Sequence, residues 1–148
     1  LEPLLKANKK FKFIISKYPL TDFAVDAKFK INLIEDILAS KEMYVGRHYL
    51  KKEKWIPAIK RFQNVEKNYS QSIYIEEALH RLVEVYYRIG LEEQATRYAK
   101  LLGYNYRSSE WYEKSYKILN KDYELKTLTL KTNGKKSGII QKFKRLFW

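Results

Sequence analysis

Three similar segments recur along the chain, and their spacing constrains the fold more than any other feature of the sequence. They occupy residues 17–21, 68–72 and 105–109, and each follows an amphipathic, helix-like pattern. Their tyrosines lie 51 and then 37 residues apart. Each segment also supplies hydroxyl side chains that can cap the N-terminus of a following helix. The pattern therefore predicts successive helices joined by short turns.

The 37-residue interval is close to the ~34-residue unit of a tetratricopeptide array, in which two antiparallel helices form one repeat. In this register the small residues Gly46, Ala58 and Ala95 fall where paired helices approach closely. Phe62 and Tyr86 fall where large side chains fill the space between repeats. We therefore predict an all-α, tetratricopeptide-like array of helical hairpins, wound as a right-handed solenoid. The predicted helices span residues 1–17, 23–52, 55–68, 73–89, 92–103 and 109–121.

The longer first interval needs its own explanation, because it exceeds the second by 14 residues. An insertion of this length adds about four helical turns at ~3.6 residues per turn, so it returns side chains to nearly the same face. Residues 23–52 contain no proline, and their one glycine is Gly46. We predict one unusually long helix here, or two nearly coaxial helices. Pro57 then falls in the first turn of the next helix, where its missing N–H costs no hydrogen bond.

The charge of the chain is strongly positive and is concentrated towards the C-terminus. The 148 residues carry a formal net charge of +13, of which residues 121–148 contribute +6. Composition divides the chain into a helical-repeat domain at 1–121, a flexible basic linker at 122–138 and a short basic amphipathic tail at 139–148. A field of this sign favours acidic partners, namely nucleic acid, anionic lipid headgroups or an acidic protein face.

The tail combines an apolar face with basic side chains. Its apolar members are Ile139, Phe143, Leu146, Phe147 and Trp148. A segment of this kind can lie in an anionic lipid interface or dock in a groove of a partner. It can also fold back on the last exposed face of the array or stay disordered. The sequence leaves these alternatives open.

Residue types that serve in catalysis or metal binding are few in this sequence, and their spacing does not match a known active site or metal site. The absence of cysteine excludes disulfides, thiolate metal sites and a cysteine nucleophile. His48 and His80 have no spacing suited to a metal except that Glu84 follows His80 by four residues, which is typical of a surface hydrogen bond. Glu76–Glu77 and Glu92–Glu93 begin predicted helices, where they complement the helix dipole. We predict a protein with no catalytic residues, no cofactor and no metal site.

Several runs of the sequence resemble the BamD family, also called ComL or YfiO, of outer membrane assembly lipoproteins with tetratricopeptide repeats. The matching runs are residues 23–30 (FAVDAKFK), 40–49 (SKEMYVGRHY) and 55–62 (WIPAIKRF), continued by 77–86 and 101–106. The run 41–47 lies in the insertion and its junction, which generic arrays lack. The resemblance covers about residues 7–119 and corresponds to the later repeats of the family. It implies that the chain, which begins at Leu1 within a helical pattern, is part of a longer protein.

The resemblance implies a scaffold at the periplasmic face of the outer membrane, held there by an acylated N-terminal cysteine that this sequence lacks. Its partners would be the last periplasmic domain of the barrel-forming protein BamA, other lipoproteins of the same machinery, and unfolded barrel precursors bound mostly by earlier repeats. Arg61 occupies the position of the family arginine that pairs with an acidic residue of BamA. Lys60, Asn64 and Lys67 are the neighbouring candidates for this partner-binding surface. The stem of Arg61 can pack at the edge of the core beside Phe62 while its guanidinium faces a carboxylate.

Two other classes of function compete with this reading. One is a cytosolic helical-repeat adaptor, and the other is a nucleic-acid-binding helical protein, which the basic and aromatic composition would suit. Most tyrosines are already used by the repeat register, and no signature of a known nucleic-acid-binding module is present. We therefore expect protein partners and no nucleic acid.

Overall fold

The structure is a computed structural model that describes residues 1–120 and consists of six α-helices over this range. The helices are α1 (Glu2–Lys17), α2 (Asp22–Lys51), α3 (Trp55–Asn68), α4 (Ile75–Arg88), α5 (Glu92–Asn105) and α6 (Glu110–Leu119). Each helix from α1 to α5 packs against the next along the chain, and α6 packs against both α4 and α5. The predicted all-α, tetratricopeptide-like array is confirmed.

The long helix is the most distinctive element of the array. α2 runs without interruption for 30 residues, so the insertion extends one helix rather than making two. Thr21 begins it, because its side chain accepts a hydrogen bond from the backbone N–H of Ala24 at 3.4 Å. Pro57 lies in the first turn of α3, as its missing N–H predicts.

The core confirms the predicted pairing of small and large residues. Phe62 of α3 is fully buried, and a Cβ atom added at Gly46 of α2 would lie only 2.5 Å from Cε1 of Phe62. A second approach of this kind joins α5 to α6, where a Cβ atom at Gly103 would lie 2.5 Å from Cε2 of Tyr112. Ala58 and Ala95 are also fully buried. Glycine at these two contacts lets neighbouring helices pack at close range.

The turns differ in how they end one helix and begin the next. Ser109 caps α6, since its hydroxyl accepts from the N–H of Trp111 at 3.2 Å. The expectation of a hydroxyl cap before α4 is wrong: α4 follows Tyr74 without a side-chain cap, and the buried Ser72 Oγ has no hydrogen-bond partner among residues 1–120. The backbone itself closes this turn, because the N–H of Ile75 donates to the carbonyl of Ser72 at 3.2 Å.

The predicted linker at 122–138 and the predicted tail at 139–148 lie outside the described residues. The role of the apolar tail residues therefore remains a prediction; these residues are Ile139, Phe143, Leu146, Phe147 and Trp148. Among residues 1–120, no helix combines the length and the hydropathy needed to cross a membrane.

Candidate functional site

The predicted partner-binding residues meet in one open groove between α2 and α3. The groove has a volume of about 530 Å³, and we name it the basic groove. Its lining residues are Glu42, Tyr49, Ile56, Pro57, Lys60, Arg61, Gln63, Asn64 and Lys67. All four sequence candidates, Lys60, Arg61, Asn64 and Lys67, are in this set. The structure thus places in one groove the residues that the sequence analysis assigned to one surface; their role in binding a partner stays a prediction.

Helical periodicity explains why α3 can serve the core and the groove at once. Ala58, Phe62 and Val65 follow each other at spacings of four and three residues, and all three are buried. Lys60 falls between these core positions, Lys67 follows Val65 by two residues, and both lysines are exposed. Because positions three or four apart share one face of a helix, the two sets lie on different sides of α3.

The electrostatics of the basic groove centre on an ion pair between Arg61 and Glu42. Nη1 of Arg61 donates to Oε2 of Glu42 at 3.2 Å and to Oε1 at 3.5 Å. The Arg61 side chain is 45% exposed, whereas that of Glu42 is 17% exposed. Lys60, Arg61 and Lys67 together outweigh the single carboxylate of the groove, so its open side is positively charged. Such a surface is complementary to an acidic partner.

Gln63, which lines the basic groove, is hydrogen-bonded to a partly buried pair of stacked tyrosines. The rings of Tyr86 and Tyr98 stack with centroids 5.6 Å apart. Nε2 of Gln63 donates to the Tyr86 hydroxyl at 3.2 Å and to the Tyr98 hydroxyl at 3.4 Å. Burial raises the pKa of Tyr86 above its usual value of 10.0, with a smaller contribution from Tyr98. The Tyr86 phenol therefore stays neutral, and the hydroxyls of Tyr86 and Tyr98 both accept from the Gln63 amide.

His80 is placed differently from the sequence prediction. The prediction of a surface hydrogen bond between His80 and Glu84 is wrong. His80 is buried, and its Nδ1 lies 2.8 Å from Oγ of Ser115 in α6. Burial, assisted by the nearby charge of Arg81, lowers the pKa of His80 from 6.5 to about 4. The helical spacing did not indicate this, because the partner of His80 lies 35 positions later. Residues 1–120 contain no group of three or more potential metal-ligating side chains.

The acidic residues at the helix starts are in the first turns as predicted, but Glu77 has a further role. Glu76 and Glu77 open α4, and Glu92–Glu93 open α5. Glu77 is buried and accepts from Nη1 of Arg47 in α2 at 2.9 Å and from Nε of Arg81 at 3.3 Å. Glu77 therefore links α4 to α2, which are the first helices of two adjacent repeats. An interaction with the helix dipole alone would not require this contact.

Several groove residues had no signal in the sequence. Glu42 is the partner of Arg61 from 19 positions away, and Gln63 reaches two tyrosines of the following repeat. Ile56 contributes an exposed apolar side chain at the rim. These residues become neighbours only when α2, α3 and α4 are packed together, so no spacing within one helix identifies them.

Comparison with known proteins places the chain in a family. The family model described as "YfiO: Outer membrane lipoprotein" matches residues 1–101. The chain belongs to this family of BamD-type outer membrane lipoproteins. Among BamD sequences, it is 46% identical to the outer membrane protein assembly factor BamD of Rickettsia prowazekii over 114 residues, which is 77% of this chain and 45% of that protein.

Other BamD proteins extend the same similarity. The BamD protein of Caulobacter vibrioides is 44% identical over 107 residues, covering 72% of this chain and 35% of that protein. That of Vibrio cholerae serotype O1 is 30% identical over 104 residues, covering 70% of this chain and 43% of that protein. The chain thus spans less than half the length of the BamD relatives that it matches. The basic groove lies entirely within the residues that the family model matches.

Proposed function

We propose that this chain is the partner-docking part of a BamD-type assembly factor and has no reaction of its own. In this role it docks the last periplasmic domain of BamA and supports insertion of barrel precursors at the outer membrane. The observation that carries the proposal is the basic groove, which gathers Lys60, Arg61, Asn64 and Lys67 on one open face. The names of the relatives, outer membrane protein assembly factors, support the same role.

The placement of the protein and its wider partners belong to the same proposal. We infer that the whole protein is held at the periplasmic face of the outer membrane by a lipid anchor. Other lipoproteins of the machinery and unfolded barrel precursors would bind elsewhere on the whole protein. No contact among the described residues favours the cytosolic adaptor or nucleic-acid binding over this role.

The mechanism that we propose is competition for Arg61 between Glu42 and an acidic residue of the partner. The Arg61 guanidinium already binds Glu42 but remains 45% exposed. An acidic residue of the partner can therefore approach the open side of the same guanidinium, while the exposed Ile56 side chain supplies an apolar contact beside it. Closure of the interface removes water from this ion pair and strengthens it. Lys60 and Lys67 add a positive field that accelerates the encounter.

The experiment is capture of the purified last periplasmic domain of BamA by the full-length protein. We expect Arg61→Glu to weaken capture by more than about tenfold, because removing one member of a desolvated charge pair typically costs about 2–5 kcal/mol. Lys100→Glu makes the same charge change at an exposed position of α5 and should leave capture unchanged. Equal capture by both variants and the wild type, with unchanged helical content, would show that the docking site is wrong.

A second variant tests the competition itself. Glu42→Gln removes the negative charge that competes for Arg61 and should tighten capture by about fivefold, which corresponds to roughly 1 kcal/mol for a partly exposed ion pair. Weaker capture by Glu42→Gln would instead mean that Glu42 orients Arg61 for the partner.

A further inference from the structure

A second charged groove lies on the other side of α2 from the basic groove. Each residue advances about 100° around a helix, so Arg47 and Lys51 lie roughly opposite Glu42 and Tyr49. The second groove has a volume of about 350 Å³. We name it the arginine groove, and it is lined by Arg47, Leu50, Lys51, Trp55, Arg81 and Arg88 together with the carboxylates of Glu53 and Glu84.

The arginine groove is built on a ladder of ion pairs along α4. Nη1 of Arg81 donates to Oε2 of Glu84 at 2.8 Å, and Nη2 of Arg88 donates to Oε1 of Glu84 at 3.0 Å. Arg81 also donates to Glu77, and Arg47 of α2 joins the ladder through Glu77 at 2.9 Å. The ladder therefore holds the cationic side chains of two repeats in fixed positions before any ligand binds.

Positive and negative groups of the ladder lie at different depths. The carboxylates of Glu77 and Glu84 are 11% and 16% exposed, whereas the side chains of Arg47 and Arg88 are 42% and 55% exposed. The guanidinium groups of Arg47 and Arg88 are therefore more exposed to solvent than the carboxylates that they bind. Arg47 bonds Glu77 through Nη1 alone, and Arg88 bonds Glu84 through Nη2 alone. Their other N–H groups have no acceptor among residues 1–120, and the same region offers no ion-pair partner for the exposed Lys51.

An aromatic surface completes the arginine groove. Trp55 and Leu50 are partly buried against the core, and the guanidinium carbon of Arg88 lies 6.0 Å from the centroid of a Trp55 ring. We propose that the arginine groove binds a short acidic segment of a partner polypeptide. Carboxylates of the segment would bind the outward N–H groups of Arg47 and Arg88 and the Lys51 ammonium. One apolar side chain of the segment would pack on Trp55.

The chemistry of the groove favours a carboxylate-bearing peptide over a lipid. Guanidinium forks match the two oxygens of a carboxylate, which gives direction as well as charge. The volume of about 350 Å³ is at the low end of the ~300–1,000 Å³ range of ligand pockets and suits one or two side chains. This surface is separate from the basic groove, so the inference stands independently of the proposed docking of BamA.

The test is fluorescence anisotropy of the full-length protein with a dye-labelled nonapeptide, in which aspartates and glutamates surround a central phenylalanine. We expect saturable binding at about 0.1 M salt. The double variant Lys51→Gln/Arg88→Gln should bind at least about tenfold more weakly, because two charged contacts are lost. The matched control, Lys28→Gln/Lys100→Gln, removes the same charge at exposed positions outside both grooves and should change the affinity less than about twofold.

Two further variants guard the test against misfolding and against unspecific attraction. Lys51→Gln alone removes a cation with no ion pair among the described residues, so it should weaken binding without affecting the fold. Glu53→Gln removes an exposed acidic side chain that lines the groove and should tighten binding. The proposal fails if the peptide does not bind, or if both double variants lose affinity equally. It also fails if vesicles containing phosphatidylglycerol bind the arginine groove and the peptide does not.

Discussion

The ring of Phe62 occupies the space that any side chain at Gly46 would need, with Cε1 2.5 Å and Cζ 2.9 Å from an added Cβ atom. Gly46→Ala should therefore lower the free energy of unfolding by about 1–3 kcal/mol, because the added methyl group would force the fully buried ring to shift within the core. The loss should occur although alanine is the better helix former by about 1 kcal/mol. Chemical denaturation followed by circular dichroism measures it.

The matched control for Gly46 is Lys41→Ala, at an exposed position of the same helix. It should change stability by no more than about 0.5 kcal/mol. A Gly46→Ala protein as stable as the wild type would mean that α2 and α3 are not packed at this distance.

Glu77 lies in the first turn of α4 and also forms ion pairs, so its contribution to stability can be compared with that of a first-turn acid that forms none among the described residues. Glu77→Ala should destabilise the protein by about 1–3 kcal/mol, because Arg47 and Arg81 both lose a buried acceptor. Glu93→Ala removes an exposed acid from the first turn of α5 and should cost only about 0.3–1 kcal/mol. Thermal unfolding of both variants at equal pH measures the difference. Equal losses of stability in the two variants would mean that Glu77 contributes only through the helix dipole, as Glu93 does.

His80 should make the stability of the protein depend on pH in a defined window. Its pKa is about 4 in the folded protein and about 6.5 in an unfolded chain, so between these values the unfolded state binds more protons. The stability held by neutral His80 is fully present above about pH 6.5 and is lost as the pH falls towards 4, by roughly 3 kcal/mol in total.

The measurement for His80 is the free energy of unfolding at several pH values for the wild type and for His80→Gln. Subtracting the two curves removes the contribution of the carboxylates, which both proteins share. We expect the difference between them to change by roughly 3 kcal/mol between pH 6.5 and 4, with the wild type losing more. A difference that is constant over this window would place the titration of His80 elsewhere. The proton resonances of the imidazole provide a direct check of the folded-state pKa.

Some helix starts in this protein can be predicted from the sequence, and others cannot. The helical character of the α2 region and the turns before it and before α6 follow from periodicity, from the absence of proline, and from Thr21 and Ser109 as caps. The sequence left open whether this region forms one helix or two nearly coaxial helices. The turn before α4 did not follow, because its backbone closes it without the hydroxyl of Ser72. A helix start can be predicted from the sequence where a side chain caps it. It cannot be predicted in this way where backbone hydrogen bonds alone close the turn.

The sequence by itself determined the helices, their order, the close approach at Gly46 and the basic character of α3, because these depend on spacing within one helix and on composition. Only the tertiary structure decided that Arg61 pairs with Glu42, that Glu77 pairs with Arg47, and that His80 faces Ser115. These pairs are 19, 30 and 35 positions apart, and the packing of separate helices brings them within hydrogen-bond distance. The physical reason is that a charged or polar side chain can pair with many different groups. Which group lies close enough to pair with it depends on how the helices pack.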